Sequence, residues 1–138
     1  MTRAHFKKIA KTRLAEAKVL YRKEKYSGAY YLAGYCIECS LKACIAKKVK
    51  KSEFPPAPEV VKEIYTHNLT KLIKSAGLGL LLEQELKKDS QFAKYWNIVK
   101  DWNEKSRYTV TTEKVAEDLI EAISNSNNGV FKWIKLHW

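Results

Sequence analysis

Residues 30–48, YYLAGYCIECSLKACIAKK, form the stretch that decides the fold of this chain. At about 3.6 residues per helical turn, Tyr31, Tyr35, Glu38 and Lys42 share one face, and the rest of the circumference is almost wholly apolar. A helix that is apolar nearly all round is usually buried in a core. A carboxylate in the middle of such a helix needs a partner, so Glu38 either makes an internal ion pair or lines a cleft.

The size and charge of the chain limit its class. With 138 residues it is long enough to bury a core without disulfides or metal, and we expect one domain over residues 1–138. The 26 Lys and Arg residues exceed the 15 Asp and Glu residues, which gives a net charge of +11. This excess favours a polyanionic partner.

The cysteines and the N-terminal segment bear on chemistry and location. The three cysteines all lie on the apolar helix and have no second set of ligands, which predicts reduced core residues rather than a metal or redox site: Cys36, Cys39 and Cys44. The opening MTRAHFKKIAK is charged where a signal peptide needs an apolar core, and polar residues interrupt the apolar run at 30–48. We expect a cytoplasmic protein that uses no cofactor.

Residues 3–25 predict a first amphipathic helix, because apolar residues recur every three or four positions. Ser27 and Gly28 suit a tight connection and the start of the next helix, which predicts an antiparallel hairpin. The opposite face of the first helix carries a basic stripe of Lys7, Lys11, Lys18, Arg22 and Lys25. By default this stripe is a solvated face, but it would serve as an electrostatic track for RNA if neighbouring helices add lysines.

A proline-containing segment, SEFPPAPEV, follows the second helix and predicts a loop at Pro55, Pro56 and Pro58. A short helical turn is expected over residues 60–65. The next helix, LTKLIKSAG, is predicted to begin after Thr66 or Asn68 and to end at residues 77–78 in a Schellman motif.

The remaining chain is also helical by its periodicity. An aromatic region over residues 80–102 is predicted to be helical with a break near Asp89, and its Tyr95 and Trp96 fit a core stripe better than a base-stacking surface. The last helix should begin at Thr111 or Thr112 and continue as one bent helix through SNSNNG. No alternating strand pattern occurs, so the predicted fold is all-α, an up-and-down bundle of four to five helices.

The order of these segments resembles the HEPN family, the higher eukaryotes and prokaryotes nucleotide-binding domains. The resemblance covers nearly the whole chain and is carried by YSGAYYLAGYCIECSLKACI, THNLTKL and DWNEKSRY. Its most specific positions are Tyr35, Glu38, Leu41, Lys42, Ala43, His67, Leu69, Arg107 and Tyr108. It implies a small helical bundle that commonly forms a homodimer.

Many HEPN proteins are metal-independent ribonucleases with an Arg followed at a short interval by a His. The Arg corresponds to Arg107, but the positions for the His hold Thr112, Glu113 and Lys114. The usual catalytic pair is therefore absent, and we assign neither a catalytic nor a metal-binding residue. The resemblance still implies a groove around Arg107 that binds RNA or a nucleotide, or docking with a nucleotidyltransferase partner, as in the toxin and antitoxin pairs of the family.

Several candidate residues have two interpretations. Glu38 either bonds Arg13 or Lys42 in the core or converges with Tyr35 and Arg107 on a polar cleft. Arg107 is either solvated or an anion-binding fork, and His67 either caps or packs a helix or carries a proton. The candidate ligand-binding set is Arg107, Tyr108, Tyr35, Glu38, Lys42 and His67.

Some of four aromatic residues are predicted to contribute to a homodimer interface, since the hydrophobic content is more than one core of a small basic domain requires. They are Trp102, Phe131, Trp133 and Trp138.

Overall fold

The computed structural model describes residues 1–49 and 58–138, which are helical and contain no strand. The helices are α1 (Arg3–Arg22), α2 (Tyr26–Lys48), α3 (Pro58–Ile64), α4 (Leu69–Ser75), α5 (Gly79–Lys88), α6 (Ser90–Val99), a 3₁₀ helix (Glu104–Tyr108), α7 (Glu113–Ser124) and α8 (Val130–Lys135). The predicted all-α class is confirmed. None of the described helices is long and apolar enough to cross a bilayer. The predicted loop at Pro55 and Pro56 lies outside the described residues, and Pro58 is the first residue of α3.

Helix α2 lies at the centre of the bundle. It packs against α1, α4, α7, α8 and the 3₁₀ helix, and its residues Ile37, Glu38 and Leu41 are fully buried. An apolar surface on nearly all sides is what this position requires, because neighbours cover the helix from several directions.

The connection between α1 and α2 lies earlier than the sequence predicted. Helix α1 ends at Arg22, and the Lys25 N–H donates to the Leu20 carbonyl (2.8 Å) across Glu24, whose φ is 61°. This is a Schellman-type end, and its backbone hydrogen bonds offset the cost of a left-handed conformation in a residue other than glycine. Ser27 and Gly28 lie in the first turn of α2, so the predicted helix start at these residues is confirmed, whereas the connection itself is formed before them.

The prediction of one continuous C-terminal helix is wrong. Helix α7 ends at Ser124, and the Asn125 side-chain oxygen accepts hydrogen bonds from the backbone N–H groups of Asn127 (3.0 Å) and Asn128 (2.9 Å). Such a bond competes with the helical one and ends the helix. At Gly129 the chain passes so close to itself that a Cβ would lie 2.5 Å from the Asn125 carbonyl oxygen.

Three other predicted helix ends are confirmed. The Asn68 side chain caps α4 by accepting from the Lys71 N–H (2.9 Å). Gly77, with φ +72°, ends α4 in a Schellman motif, in which the Leu78 N–H donates to the Ile73 carbonyl (3.0 Å). Asp89 separates α5 from α6, and its side chain caps α6 by accepting a hydrogen bond from the Phe92 N–H (3.0 Å).

The aromatic residues expected at a dimer interface are instead mostly inside the protomer. Trp102, Phe131 and Trp133 are only 2%, 6% and 7% exposed, and Trp138 is half-buried. The break at Asn125 turns α8 back onto the bundle, so its aromatic residues fill the core. The burial of Trp102, Phe131 and Trp133 removes these three from the predicted interface, whereas the role of Trp138 stays a prediction; Trp96 lies in the core as predicted.

The three cysteines are free and buried, as predicted for core residues. Burial raises the pKa of Cys39 to about 12 and that of Cys44 to about 11. These thiols stay protonated at neutral pH and are poor nucleophiles and poor metal ligands. Within residues 1–49 and 58–138, no group of three or more His, Cys, Asp or Glu residues is placed to hold a metal ion.

Candidate functional site

The polar face of α2 carries a carboxylate cluster made of Glu38, Lys42 and His67. One oxygen of Glu38, Oε1, accepts from Lys42 Nζ (2.8 Å) and lies 2.9 Å from His67 Nδ1. The Glu38 side chain is 0% exposed, whereas those of Lys42 and His67 are 11% and 42% exposed. The structure therefore agrees with the internal ion pair to Lys42. Arg13, the other predicted partner, pairs with Glu16 instead (2.9 Å).

His67 attaches the segment before α4 to α2. It does not cap α4, because the Asn68 side chain occupies that role, so the capping interpretation of His67 is wrong. Its ring reaches across to a carboxylate on another helix, with its outer edge in solvent. The second oxygen of Glu38, Oε2, is buried without a hydrogen-bond partner among the described residues.

A second group, the aromatic–arginine cluster, consists of Tyr31, Tyr35, Trp102, Arg107 and Tyr108. The Tyr31 and Trp102 rings are stacked with centroids 6.1 Å apart, and Tyr35 meets Trp102 edge-on at 6.5 Å. The Trp102 ring lies against the backbone of α2 at position 34, where glycine leaves the necessary space. The indole forms a rigid floor beneath the two tyrosines.

Arg107 lies at the surface beside this floor. The 3₁₀ helix that carries Arg107 packs on α2, and its guanidinium lies 4.9 Å from the Tyr108 ring centroid. Tyr108 and then Tyr31 raise the pKa of Arg107 above its ordinary value, so its charge is permanent. In the part of the chain that the structure describes, Arg107 makes no ion pair with a carboxylate. A guanidinium has the planar fork of donors that suits an anion such as phosphate.

Tyr35 lies between the two clusters. Burial and then the charge of Glu38 raise the pKa of Tyr35, and Tyr35 also contacts the indole of the aromatic floor. Glu38 and Arg107, however, share no hydrogen bond in the described residues, because one is buried between helices and the other is exposed. The predicted meeting of Tyr35, Glu38 and Arg107 in one cleft is not seen among the described contacts: the charge of Glu38 acts on Tyr35, whereas Arg107 lies beside Tyr108 and Tyr31.

An open cleft of about 430 Å³ lies next to this site, and its lining includes residues of the 3₁₀ helix. The lining consists of five hydroxyl side chains, one amide, one lysine, one aspartate and two valines: Tyr30, Asp101, Asn103, Lys105, Ser106, Thr109, Val110, Thr111, Thr112 and Val115. Its position puts polar groups within the neighbourhood of Arg107.

Three contributors to the site were not among the sequence candidates for ligand binding. Trp102 and Gly34 meet only in the folded chain, and the sequence signal for them was weak: Trp102 precedes Arg107 by a few positions, and Gly34 is a glycine inside a helix. Tyr31 was placed on the polar face of α2 but was not assigned a role. Its stacking on Trp102 depends on the tertiary structure.

The fold and the site together define a small all-helical domain that presents a permanent cation beside an aromatic floor. The family model of the HEPN domain matches residues 4–137, nearly the whole chain. The chain therefore belongs to the HEPN domain family, as its sequence pattern indicated. No curated protein and no solved structure matches it significantly.

Proposed function

We propose that this protein binds RNA or a nucleotide at the aromatic–arginine cluster and does not cleave RNA by the usual Arg and His route of its family. The observation that carries the proposal is the exposed guanidinium of Arg107, which has no carboxylate partner among the described residues and lies beside stacked aromatic rings. A guanidinium recognises phosphate, and the exposed Tyr108 ring beside it can stack on a base. The neighbouring cleft provides space for the remainder of a nucleotide.

The absence of cleavage is proposed from the residues that occupy the position of the family's His. Thr112 caps α7 by accepting from the Val115 N–H (3.3 Å), and Lys114 pairs with Asp118 (2.7 Å). These side chains support α7, and none of them is an imidazole able to transfer a proton near neutral pH. His67 is held by Glu38 on another part of α2.

Arg107→Ala is expected to weaken binding of a short fluorescent RNA by about tenfold or more, since a hydrogen bond to a charged group contributes about 1.5–3 kcal/mol. Anisotropy titrations at low salt measure this loss. The thermal midpoint should not change, because Arg107 is exposed. Lys87→Ala is the matched control, since it removes an exposed cation from the end of α5, outside the basic stripe of α1. Equal losses in both variants, or no binding by the unchanged protein, would contradict the proposal.

A cleavage assay tests the second half of the proposal. We expect purified protein incubated with the same RNA to retain it without releasing fragments. Rapid fragment release that disappears in His67→Ala would show that the histidine of the carboxylate cluster is catalytic. Fragment release that persists in this variant and in Arg107→Ala would point to a contaminating nuclease instead.

The alternative function is a non-catalytic homodimeric module that docks a nucleotidyltransferase-type partner in a toxin and antitoxin or defence pair. It is favoured by three apolar side chains near Arg107 that are exposed: Tyr108, Val110 and Val115 are 79%, 94% and 47% exposed. Apolar residues exposed in one segment are typical of a protein contact. They replace the buried tryptophans as the proposed interface.

Val110→Asp is expected to shift a homodimer toward monomer, because a charge would be buried in an apolar contact. Light scattering at micromolar concentration measures the mass. Leu80→Asp, which changes another exposed apolar residue on α5, should leave the mass unchanged. A monomeric unchanged protein at high micromolar concentration would contradict the dimer.

A further inference from the structure

A second cationic surface lies away from Arg107, where α1 meets α8. Two lysines of α1 lie over the Trp138 ring, with Lys7 Nζ 5.2 Å and Lys11 Nζ 5.6 Å from its centroid. Lys135 of α8 lies 4.6 Å from the centroid of Phe131, whose ring meets Trp138 edge-on at 5.6 Å. We call this region, together with Arg3 and Lys47, the α1–α8 surface.

Within the described residues, Arg3 donates to the backbone oxygen of Trp138, and Lys7, Lys11 and Lys135 lie over aromatic rings rather than beside carboxylates. Partial burial and then the charges of Arg3, Lys11 and Lys47 lower the pKa of Lys7. Within the described ranges, none of the five basic residues forms an ion pair. Like charges held this close repel one another. An anionic partner would relieve that repulsion.

Acidic residues are concentrated on a different element. Helix α7 carries Glu113, Glu117, Asp118 and Glu121. The charges of Glu117 and Glu113 act on Tyr21, toward the opposite end of α1 from Arg3. The protein thus has an acidic region and a basic one, and the basic region is oriented to attract a polyanion.

The α1–α8 surface is separate from the Arg107 site. Arg107 lies near Tyr31 in the first part of α2, whereas Lys47 is in its last turn. At about 1.5 Å per residue, these two positions on α2 are about 24 Å apart. A mononucleotide cannot span that distance.

We propose that the α1–α8 surface binds the phosphodiester backbone of single-stranded RNA, as a second site that does not depend on the role of Arg107. The row from Arg3 to Lys11 extends about 12 Å along α1, enough for several phosphates of one strand, which are spaced at about 3.4 Å when stacked. Lys47 of α2 and Lys135 of α8 extend the row of cations on α1, as an RNA-binding surface requires. An anionic membrane is less suitable, since Phe131 is buried and Trp138 half-buried, whereas membrane binding needs an exposed apolar face.

The test uses the double variant Lys7→Gln/Lys11→Gln and a labelled single-stranded RNA long enough to span both sites. Affinity should fall about tenfold, and the slope of log K against log salt should decrease by about 1.4, because each phosphate contact contributes about 0.7 for single strands. Lys87→Gln/Lys88→Gln removes two exposed lysines from the end of α5. This control should change the slope by much less.

Three further measurements distinguish a loss of folding, a loss of one binding site and binding to a different partner. Lys47→Gln removes an exposed cation outside the reported ring contacts and should decrease the slope by about 0.7 without a change in melting. The double variant should bind a mononucleotide with unchanged affinity, whereas Arg107→Ala should bind it more weakly. A loss of binding at the α1–α8 surface can therefore be distinguished from a loss at the Arg107 site. Equal losses in the double variant and the α5 control would overturn the proposal. RNA binding that is unchanged in the double variant would also overturn it, whether or not that variant binds phosphatidylserine vesicles more weakly.

Discussion

Glu38→Ala is expected to lower the free energy of unfolding by about 2–4 kcal/mol, since removing one member of a buried ion pair leaves the other uncompensated. The loss should be toward the lower end of what buried pairs show, because Lys42 and His67 are partly exposed and can regain water. Urea denaturation followed by circular dichroism measures the change.

Two controls make the Glu38 experiment specific. Glu38→Gln keeps the size and an accepting oxygen, so its cost should be smaller than that of Glu38→Ala. Glu16→Ala breaks the more exposed pair with Arg13, and exposed pairs contribute only about 0–1 kcal/mol. If Glu38→Ala had the same midpoint as the unchanged protein, the carboxylate would not be the buried partner of Lys42 and His67.

Gly34→Ala is expected to destabilise the protein by about 1–2 kcal/mol net, because overpacking a core costs up to about 3 kcal/mol. An added Cβ would lie 2.2 Å from two atoms of the Trp102 indole, a distance at which one group must move. The indole is only 2% exposed and has little room to withdraw. This cost exceeds the gain of about 1 kcal/mol that alanine normally brings to a helix interior.

A matched glycine and a double variant test the cause. Gly79→Ala places its Cβ where no heavy atom lies within 4 Å, so it should be neutral or slightly stabilising. Gly34→Ala should cost less when Trp102 is also changed to Leu, because the clash is removed. A Gly34→Ala variant as stable as Gly79→Ala would show that Trp102 does not pack against this position.

The helices and one pair of the site were predictable from the sequence because they are local. The apolar circumference of residues 30–48 predicts a central helix, and Glu38 and Lys42 meet because they are four positions apart on it. The side chains that cap α4 and α6 were also readable, since an Asn or Asp just before a helix accepts from its free N–H groups.

Local sequence patterns gave wrong helix ends where the backbone could adopt a second conformation. The segment SNSNNG preserves the helical phase, yet Asn125 bonds its own following N–H groups and the helix ends. The turn at Glu24 has no glycine to mark it. The burial of Phe131 and Trp133 follows from the break at Asn125, so the number of apolar residues in the sequence could not predict it.

By itself, the sequence determined that this chain is all-helical, buries α2 and belongs with the HEPN pattern, because helical periodicity and family motifs are properties of neighbouring residues. Only the tertiary structure decided that His67 rather than Arg13 joins Glu38, and that Trp102 seats against Gly34 beside Arg107. These contacts join residues far apart in the chain. Their formation depends on how separate helices pack, and no spacing along one helix encodes that arrangement.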